Sequence, residues 1–129
     1  RRAMNIRQVT PVLLVEEIEP VLPFWERLGF ERTTEVPEGD RHGFVILARD
    51  DVQIMYQSRT SVRNDIAALA DAPAGGTFLF LVVDDLDAFA ERVDATPVVP
   101  RRKTFYGADE LIVREPAGNV ITFAQLSEE

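Results

Sequence analysis

The apolar positions near the end of the chain form two β-rich runs that are separated by turn residues. Residues 111–113 (LIV) and 120–123 (VITF) are the runs, and residues 115–119 (EPAGN) supply Pro, Gly and Asn between them. This arrangement predicts a β-hairpin. Residues 44–57 repeat the plan, because their two apolar runs are separated by the charged residues 49–51 (RDD). The chain therefore contains two hairpins of one design.

Two pairs of similar segments, whose members are separated by nearly the same number of residues, indicate an internal repeat. Val52 corresponds to Ile121 in the hairpins, and Val15 corresponds to Val83 in the segments LLVEEIE and LVVDDLD. Each of these segments is an apolar strand end followed by an acidic helix start. Chance similarity would not keep this register, so the sequence predicts an α+β fold in which one βαβββ unit occurs twice with pseudo-symmetry.

The order of apolar and polar positions assigns elements to both units. The helices are placed by apolar residues at helical spacing, by Gly29 after the first helix, and by Asp84 or Asp85 before the second. Pro20 and Pro23 leave the start of the first helix open. The elements expected besides the two hairpins are strands at 8–15, 30–36, 77–83 and 96–104, helices at 16–28 and 84–93, and a connecting helix at 59–73.

The run at 77–83 is apolar on both faces, which predicts a deeply buried strand. Nothing in the composition divides the chain, so residues 1–129 are expected to form a single domain, with modules at about 7–58 and 76–126.

Composition narrows the classes of function. Fourteen Lys and Arg against 22 Asp and Glu give a net charge of −8, which argues against nucleic-acid binding and favours cationic partners. The chain has no Cys, so disulfides, thiol nucleophiles and thiolate metal sites are excluded. No apolar run is long enough to cross a bilayer, and the N-terminal residues lack the apolar core of a signal peptide. A cytoplasmic protein without membrane association is expected.

Two short motifs carry a family resemblance that spans nearly the whole chain. The aromatic pair Phe24-Trp25 is followed by residues 28–30 (LGF), and Tyr106-Gly107 precedes residues 114–119 (REPAGN). With the repeated βαβββ layout, these motifs resemble the vicinal-oxygen-chelate superfamily, which contains glyoxalases, extradiol dioxygenases, epimerases, and bleomycin- or fosfomycin-resistance proteins. The resemblance implies that the two modules form an open cup-shaped sheet with helices on the outside, completed by a homodimer.

In metal-dependent members of this superfamily, ligands come from the first and fourth strands of each module. The resemblance places the corresponding positions at Thr10, Gln53, Phe78 and Thr122, where Phe78 is matched to Thr10 by the separation that relates Val15 to Val83. Two hydroxyls, an amide and a phenyl ring do not form a site for a catalytic transition metal. No metal or other cofactor is therefore expected. His42 is the only histidine and is expected to be a solvated loop residue, which makes a dioxygenase the weakest option.

Residues that point to the same sheet face as Thr10 and Gln53 would line the cup and form a mostly apolar ligand pocket. Met55 and Phe80 belong to this set, with core filling as the alternative interpretation. Tyr106 lies at the mouth, and the nearby Glu110 would meet a cationic ligand unless it is only a solvated strand end. The basic residues 101–103 either clamp an anion or protect an edge strand.

The predicted function is metal-independent binding and sequestration of a small amphipathic molecule, in one form a cationic aromatic antibiotic of the kind that bleomycin-resistance proteins bind. No catalytic residue is predicted, and the predicted ligand-binding residues are Thr10, Gln53, Met55, Phe78, Phe80, Tyr106, Glu110 and Thr122. Two alternatives remain open: a metal-dependent lyase or isomerase of the glyoxalase type, and a structural or regulatory partner-binding domain whose cup is filled by Phe78 and Phe80.

Overall fold

The first module is a four-stranded mixed sheet with a short helical segment between its first two strands. In the computed structural model, which describes residues 3–127, the strands are β1 (Val12–Val15), β2 (Glu31–Glu38), β3 (Arg41–Arg49) and β4 (Val52–Ser58). Their order is β1-β4-β3-β2, with β1 parallel to β4 and the other pairs antiparallel. A 3-10 helix at Glu19–Val21 leads into α1 (Leu22–Glu26). Residues 1, 2, 128 and 129 of the predicted domain lie outside the described residues.

The second module repeats this topology. A connecting segment with α2 (Arg59–Asp65) and a 3-10 helix at Ala67–Leu69 precedes the second sheet. The elements of the second module are β5 (Phe78–Val82), α3 (Leu86–Arg92), β6 (Arg102–Lys103), β7 (Ala108–Arg114) and β8 (Val120–Leu126). The order β5-β8-β7-β6, with β5 parallel to β8, matches the first sheet. The predicted α+β class and the use of one βαβββ plan twice are confirmed, and both sheets are open.

Proline positions explain why the first strand and helix are shorter than predicted. Pro11 has no N–H group to donate, and β1 begins immediately after it, at Val12 and not at residue 8. Pro20 lies in the 3-10 helix and Pro23 in the first turn of α1, where a missing N–H group is tolerated. The acidic residues at 16–19 therefore precede the regular α1 helix, and the chain leaves this region at Gly29 with a φ of 86°.

Helices α2 and α3 are short, and side chains cap their first turns. The Ser58 hydroxyl accepts a hydrogen bond from the Ser61 amide at the start of α2, and Asp85 does the same for the Ala88 amide at the start of α3. The connecting helix was expected to reach residue 73, but α2 ends at Asp65. Among residues 3–127, no helix is both long and apolar enough to cross a membrane.

Strand pairing fixes which residues of the two modules are equivalent. Val12 pairs with Met55 in the first sheet, so two residues earlier Thr10 lies beside Gln53. In the second sheet the counterpart of Gln53 is Thr122, and Thr122 pairs with Phe80. The equivalent of Thr10 is therefore Phe80, which corrects the sequence-based assignment of Phe78. The match of Thr10 to Phe78 used the separation between the two helix starts. The separation between the equivalent strands β1 and β5 is longer, and this difference caused the error.

The two modules share one hydrophobic core. It is formed by one face of each sheet together with the apolar sides of the helical segments, and it includes Trp25, Tyr56, Leu86, Val113 and Phe123, all fully buried. Because side chains alternate along a strand, the other face of each sheet points away from this core. We call these second faces the open faces.

Strand β5 is not deeply buried, contrary to the prediction from its continuous apolar run. Leu79 and Leu81 pack against the core, whereas Phe78, Phe80 and Val82 on the open face are 77%, 53% and 59% exposed. Both faces of the strand are apolar, but only one is covered by residues of this chain. The interpretation in which Phe78 and Phe80 fill the cup is thus wrong for the described chain.

Candidate functional site

The open faces present a mostly apolar surface with a few polar groups. Directly paired residues of neighbouring strands point to the same side of a sheet. On the first sheet this rule gives rows of Phe44, Gln57 and Leu14, then Ile46, Met55 and Val12, then Ala48 and Gln53. On the second sheet it gives rows of Arg102, Glu110, Ala124 and Val82, then Ile112, Thr122 and Phe80, then Arg114, Val120 and Phe78.

A polar cluster lies at the start of β1. The Gln8 side-chain amide donates hydrogen bonds to the Thr10 hydroxyl at 2.7 Å and to the Gln53 side-chain oxygen at 2.8 Å. Thr10 and Gln53 are thereby brought together, as the sequence predicts. Gln8 was not among the predicted site residues, and its link to Gln53 is visible only once the strand pairing is known.

Gln53 and Phe80 line the same cleft at the junction of the two modules. A cleft of about 270 Å³ is lined by Val9 and Pro11 of the N-terminal segment, by Gln53, and by Phe80 of the second module. A second cleft of about 510 Å³ is also lined by Phe80 and continues along β5 past Val82 to α3. Together these cavities have the size of a small-molecule site.

The other predicted residues occupy neighbouring positions on the same faces. Thr122 is the direct partner of Phe80 on β8, and Phe78 lies two residues before Phe80 on β5. Met55 is two residues beyond Gln53 on β4, beside Val12. Phe78 and Phe80 are exposed and Met55 is partly exposed, so none of the three is a closed core residue.

Tyr106 and Glu110 lie at the far edge of the second open face and contact each other. The Tyr106 hydroxyl donates a hydrogen bond to Glu110 Oε2, and Nε and Nη2 of Arg102 lie 3.1 Å from Glu110 Oε1. Glu110 is only 2% exposed, so it is not the solvated strand end that the sequence allowed. The hydrogen bond to the Glu110 carboxylate raises the pKa of the Tyr106 phenol. We call Arg102, Tyr106 and Glu110 the Glu110 cluster.

The basic run at 101–103 is divided between the two sides of the sheet. Arg102 reaches Glu110 on the open face, whereas Arg101 turns to Asp109 and Asp87 at 2.9 and 2.7 Å. The Arg101 guanidinium lowers the pKa of Asp109. Each of these arginines therefore neutralises a carboxylate of its own chain.

A comparison with protein families decides the affiliation of this fold. A model described as the glyoxalase/bleomycin resistance protein/dioxygenase superfamily matches residues 6–123. The chain belongs to this superfamily. A search among curated proteins gives no match.

Solved structures of the superfamily include both binding proteins and enzymes. A glyoxalase/bleomycin resistance protein/dioxygenase from Nocardioides is 18% identical with a TM-score of 0.76, covering 98% of this chain and 87% of that one. A bleomycin-binding protein from Streptomyces verticillus, complexed with copper(II)-bleomycin, is 25% identical with a TM-score of 0.63, covering 98% and 100%. A lactoylglutathione lyase from Agrobacterium tumefaciens is 14% identical with a TM-score of 0.72, covering 94% and 95%. At this level the first and third similarities show the fold alone.

The residues at the ligand positions of this superfamily do not fit a transition metal. With the corrected pairing, these positions hold Thr10, Gln53, Phe80 and Thr122, which offer two hydroxyls, one amide and no imidazole or carboxylate. Within residues 3–127 no group of three or more His, Asp and Glu side chains is arranged to hold an ion. Glu110, the acidic residue on the second open face, is already bonded to Arg102. Neutral oxygens alone do not offset the desolvation of a dication.

His42 lies apart from the superfamily's ligand positions, in an ionic cluster on the first module. It belongs to β3 and not to a solvated loop, and its Nδ1 and Nε2 atoms lie 2.9 Å from Glu19 and Glu35. Hydrogen bonds to Glu35 and then Glu19 raise the pKa of His42. Partial burial alone would raise the pKa of Glu19, but hydrogen bonds from the His42 amide and ring and from Arg41 lower it to about 2.

Proposed function

We propose that this protein binds and sequesters a small amphipathic aromatic molecule on its open faces, without a metal and without breaking a bond. The observation that carries the proposal is the exposed apolar surface of Phe78, Phe80 and Val82 beside a cleft that also contains Gln53. Such a surface gains free energy when a flat apolar molecule covers it. The superfamily's bleomycin-binding members support this class of function.

Polar groups around the cleft would orient the ligand. Thr10, Gln53 and Thr122 supply neutral hydrogen-bonding groups on both modules, and Tyr106 and Glu110 lie at the far edge. Apolar area would provide most of the binding free energy, while these few polar groups select the ligand's orientation. The net charge of −8 would attract a cationic aromatic molecule from solution, which is one form of the proposed ligand.

We also propose that the functional unit is a homodimer. One face of β5 is apolar and open to solvent, and Val12 on the first open face is similarly exposed. Exposed apolar area of this kind is typical of protein interfaces and ligand grooves. In a dimer, the second copy would cover part of the open faces and leave the clefts beside Phe80 for the ligand.

A thermal-shift experiment tests the proposed binding. We expect bleomycin or another aromatic antibiotic to raise the melting temperature of the wild type, and Phe80→Ser to reduce that increase. Phe105→Ser is the matched control, because Phe105 is fully exposed and lines neither cleft. The chelator EDTA should leave the shift unchanged. A panel of aromatic ligands that produces no shift would contradict the proposal, and activity that depends on an added metal would favour the glyoxalase-type alternative.

A further inference from the structure

The Glu110 cluster bears on the charge that a ligand can carry at its polar end. Glu110 lies on the open face of β7, one row beyond Thr122, and is nevertheless 2% exposed. Tyr106 donates to one carboxylate oxygen, and Arg102 donates its Nε–H to the other, with Arg102 Nη2 3.1 Å from that same oxygen. The single negative charge of Glu110 is therefore matched by one guanidinium. A cationic ligand would find no unpaired carboxylate there.

The groups that remain accessible in the cluster are hydrogen-bond donors or aromatic surface. The Arg102 side chain is half-exposed, and its Nη1 has no partner among residues 3–127. About half of Tyr106 is exposed as well. On the same open face, Arg114 ends β7 in the row of Val120 and Phe78, and it bonds the Gly118 carbonyl. Beside Glu110 the second open face thus presents the Arg102 guanidinium and the Tyr106 ring, and a second guanidinium, that of Arg114, lies at the opposite end of β7.

We infer that the ligand's polar end at the Glu110 cluster is an oxygen acceptor, such as an aromatic ketone or carboxylate, and not an ammonium group. This inference rests on the proposed function. The oxygen acceptor of such a ligand gains a charge-assisted hydrogen bond from Arg102, while the ligand's aromatic part covers Phe80 and Val82. An ammonium group at this position loses its hydration shell and meets a like charge.

The overall charge of the protein does not decide this preference. A net charge of −8 attracts cations at long range, but salt screens that attraction beyond about 8 to 10 Å. Contact groups act after water has been removed, where a single donor has a larger effect. The carboxylates Asp50, Asp84 and Asp85 line the larger cleft on the other side of Phe80. They are the groups that would receive a cation if the inference were wrong.

Three anthracene derivatives that carry an acetyl, a carboxylate or an aminomethyl group provide the test. Isothermal titration on the full chain is expected to give dissociation constants about tenfold lower for the ketone and the carboxylate than for the amine, which corresponds to one charge-assisted hydrogen bond. Arg102→Met should remove or reverse this order, because it leaves Glu110 without its guanidinium. Arg101→Met is the matched control, since Arg101 is the neighbouring arginine and pairs with Asp87 and Asp109.

Further variants keep the result interpretable. Arg102→Met combined with Glu110→Gln removes both charges, so it should fold even if the single variant is unstable, and it should bind all three compounds with similar affinity. A wild type that prefers the amine, with a preference lost in Asp84→Asn, would overturn the inference and leave the proposed function intact. Binding without a charge preference, still dependent on Phe80, would do the same. Absence of Phe80-dependent binding by all three compounds would overturn both.

Discussion

At the scale of single residues, the buried carboxylate of Glu115 links residues of the two modules. Its oxygens accept hydrogen bonds from the Ala117 and Asn119 amides at 2.7 and 2.9 Å and from the Tyr56 hydroxyl at 2.6 Å. Tyr56 in turn accepts a hydrogen bond from the Trp25 indole at 2.8 Å. Burial, followed by the neighbouring Glu115 charge, raises the pKa of Tyr56, so this phenol stays protonated at all ordinary pH values.

Removal of the Tyr56 hydroxyl should destabilise the protein. Tyr56→Phe leaves the Trp25 N–H group without an acceptor and takes one donor from Glu115, so we expect the free energy of unfolding to fall by about 1 to 3 kcal/mol. Urea denaturation of wild type, Tyr56→Phe, Glu115→Gln and the double variant measures this loss and the coupling between the two residues. Strictly additive effects would contradict the direct interaction.

The ionic cluster around His42 should make stability depend on pH on both sides of its optimum. Because the folded-state pKa of His42 is raised above 6.5, its contribution is complete below pH 6.5 and is lost as the pH rises through the folded pKa. The pKa of Glu19 is lowered to about 2, so its contribution is present above pH 4.5 and is lost as the pH falls toward 2. Stability from this cluster is therefore greatest between about pH 4.5 and 6.5.

Thermal melts at pH 5.5 and pH 9 test the contribution of His42 to the cluster. His42→Gln should lower the melting temperature at pH 5.5 and have a smaller effect at pH 9, because the wild-type ring loses its charge as the pH rises. Added salt should shrink the difference, because the side chains of the cluster are only partly buried. An equal effect of the substitution at both pH values would show that His42 acts through packing alone.

At the same scale, the sequence predicted which positions share a sheet face better than the chemical state of their side chains. Thr10, Gln53 and Thr122 were predicted at equivalent strand positions and Phe80 by strand parity, and strand pairing places them close together. The repeat itself predicted Phe78 in place of Phe80 as the counterpart of Thr10. The neutralisation of Glu110 could not be predicted, because Arg102 faces it only through the pairing of β6 with β7 across an irregular turn. Gln8 was missed because its side chain reaches Gln53 from the segment before β1, where the sequence predicted a regular strand.

At the scale of elements, turn chemistry was the most reliable sequence signal. Both hairpins are present, and Asp85 caps α3 as one of the two predicted candidates. Lengths were less predictable where proline interrupts a strand, as in residues 96–104, which reduce to β6 and a single Pro97–Val113 bridge. The exposure of β5 could not be predicted either, because an apolar run does not reveal whether its second face is covered by the same chain.

Loss of the α3 cap should cost about 1 kcal/mol of stability. Asp85→Ala removes the acceptor of the Ala88 amide, and Asp85→Asn should restore most of the loss because the amide oxygen can still accept. Asp84→Ala is the matched control, since the neighbouring carboxylate is not the cap. Equal destabilisation by Asp84→Ala and Asp85→Ala in urea titrations would assign the effect to charge and not to the hydrogen bond.

At the scale of the whole molecule, the uncovered face of β5 should control the oligomeric state. Phe78→Glu places a charge on the most exposed apolar side chain of that face and should convert the proposed dimer to a monomer. Phe105→Glu should have no effect, because Phe105 is fully exposed at a loop outside the open faces. Light scattering during size-exclusion chromatography measures both masses, and a monomeric wild type at micromolar concentration would refute the proposed dimer.

The hydrogen bond from Tyr56 to Glu115 joins residues from the two halves of the chain, and among residues 3–127 the Tyr56 hydroxyl has no other acceptor. A polypeptide cut near residue 73 would therefore leave the Tyr56 hydroxyl of the first fragment without an acceptor and the Glu115 carboxylate of the second without one of its donors. Each group would lie within a newly exposed hydrophobic surface. Expressed separately the fragments should be insoluble, whereas co-expression should reconstitute the intact particle. The same property would make the chain a candidate for a split reporter, in which assembly signals that two fused proteins have met.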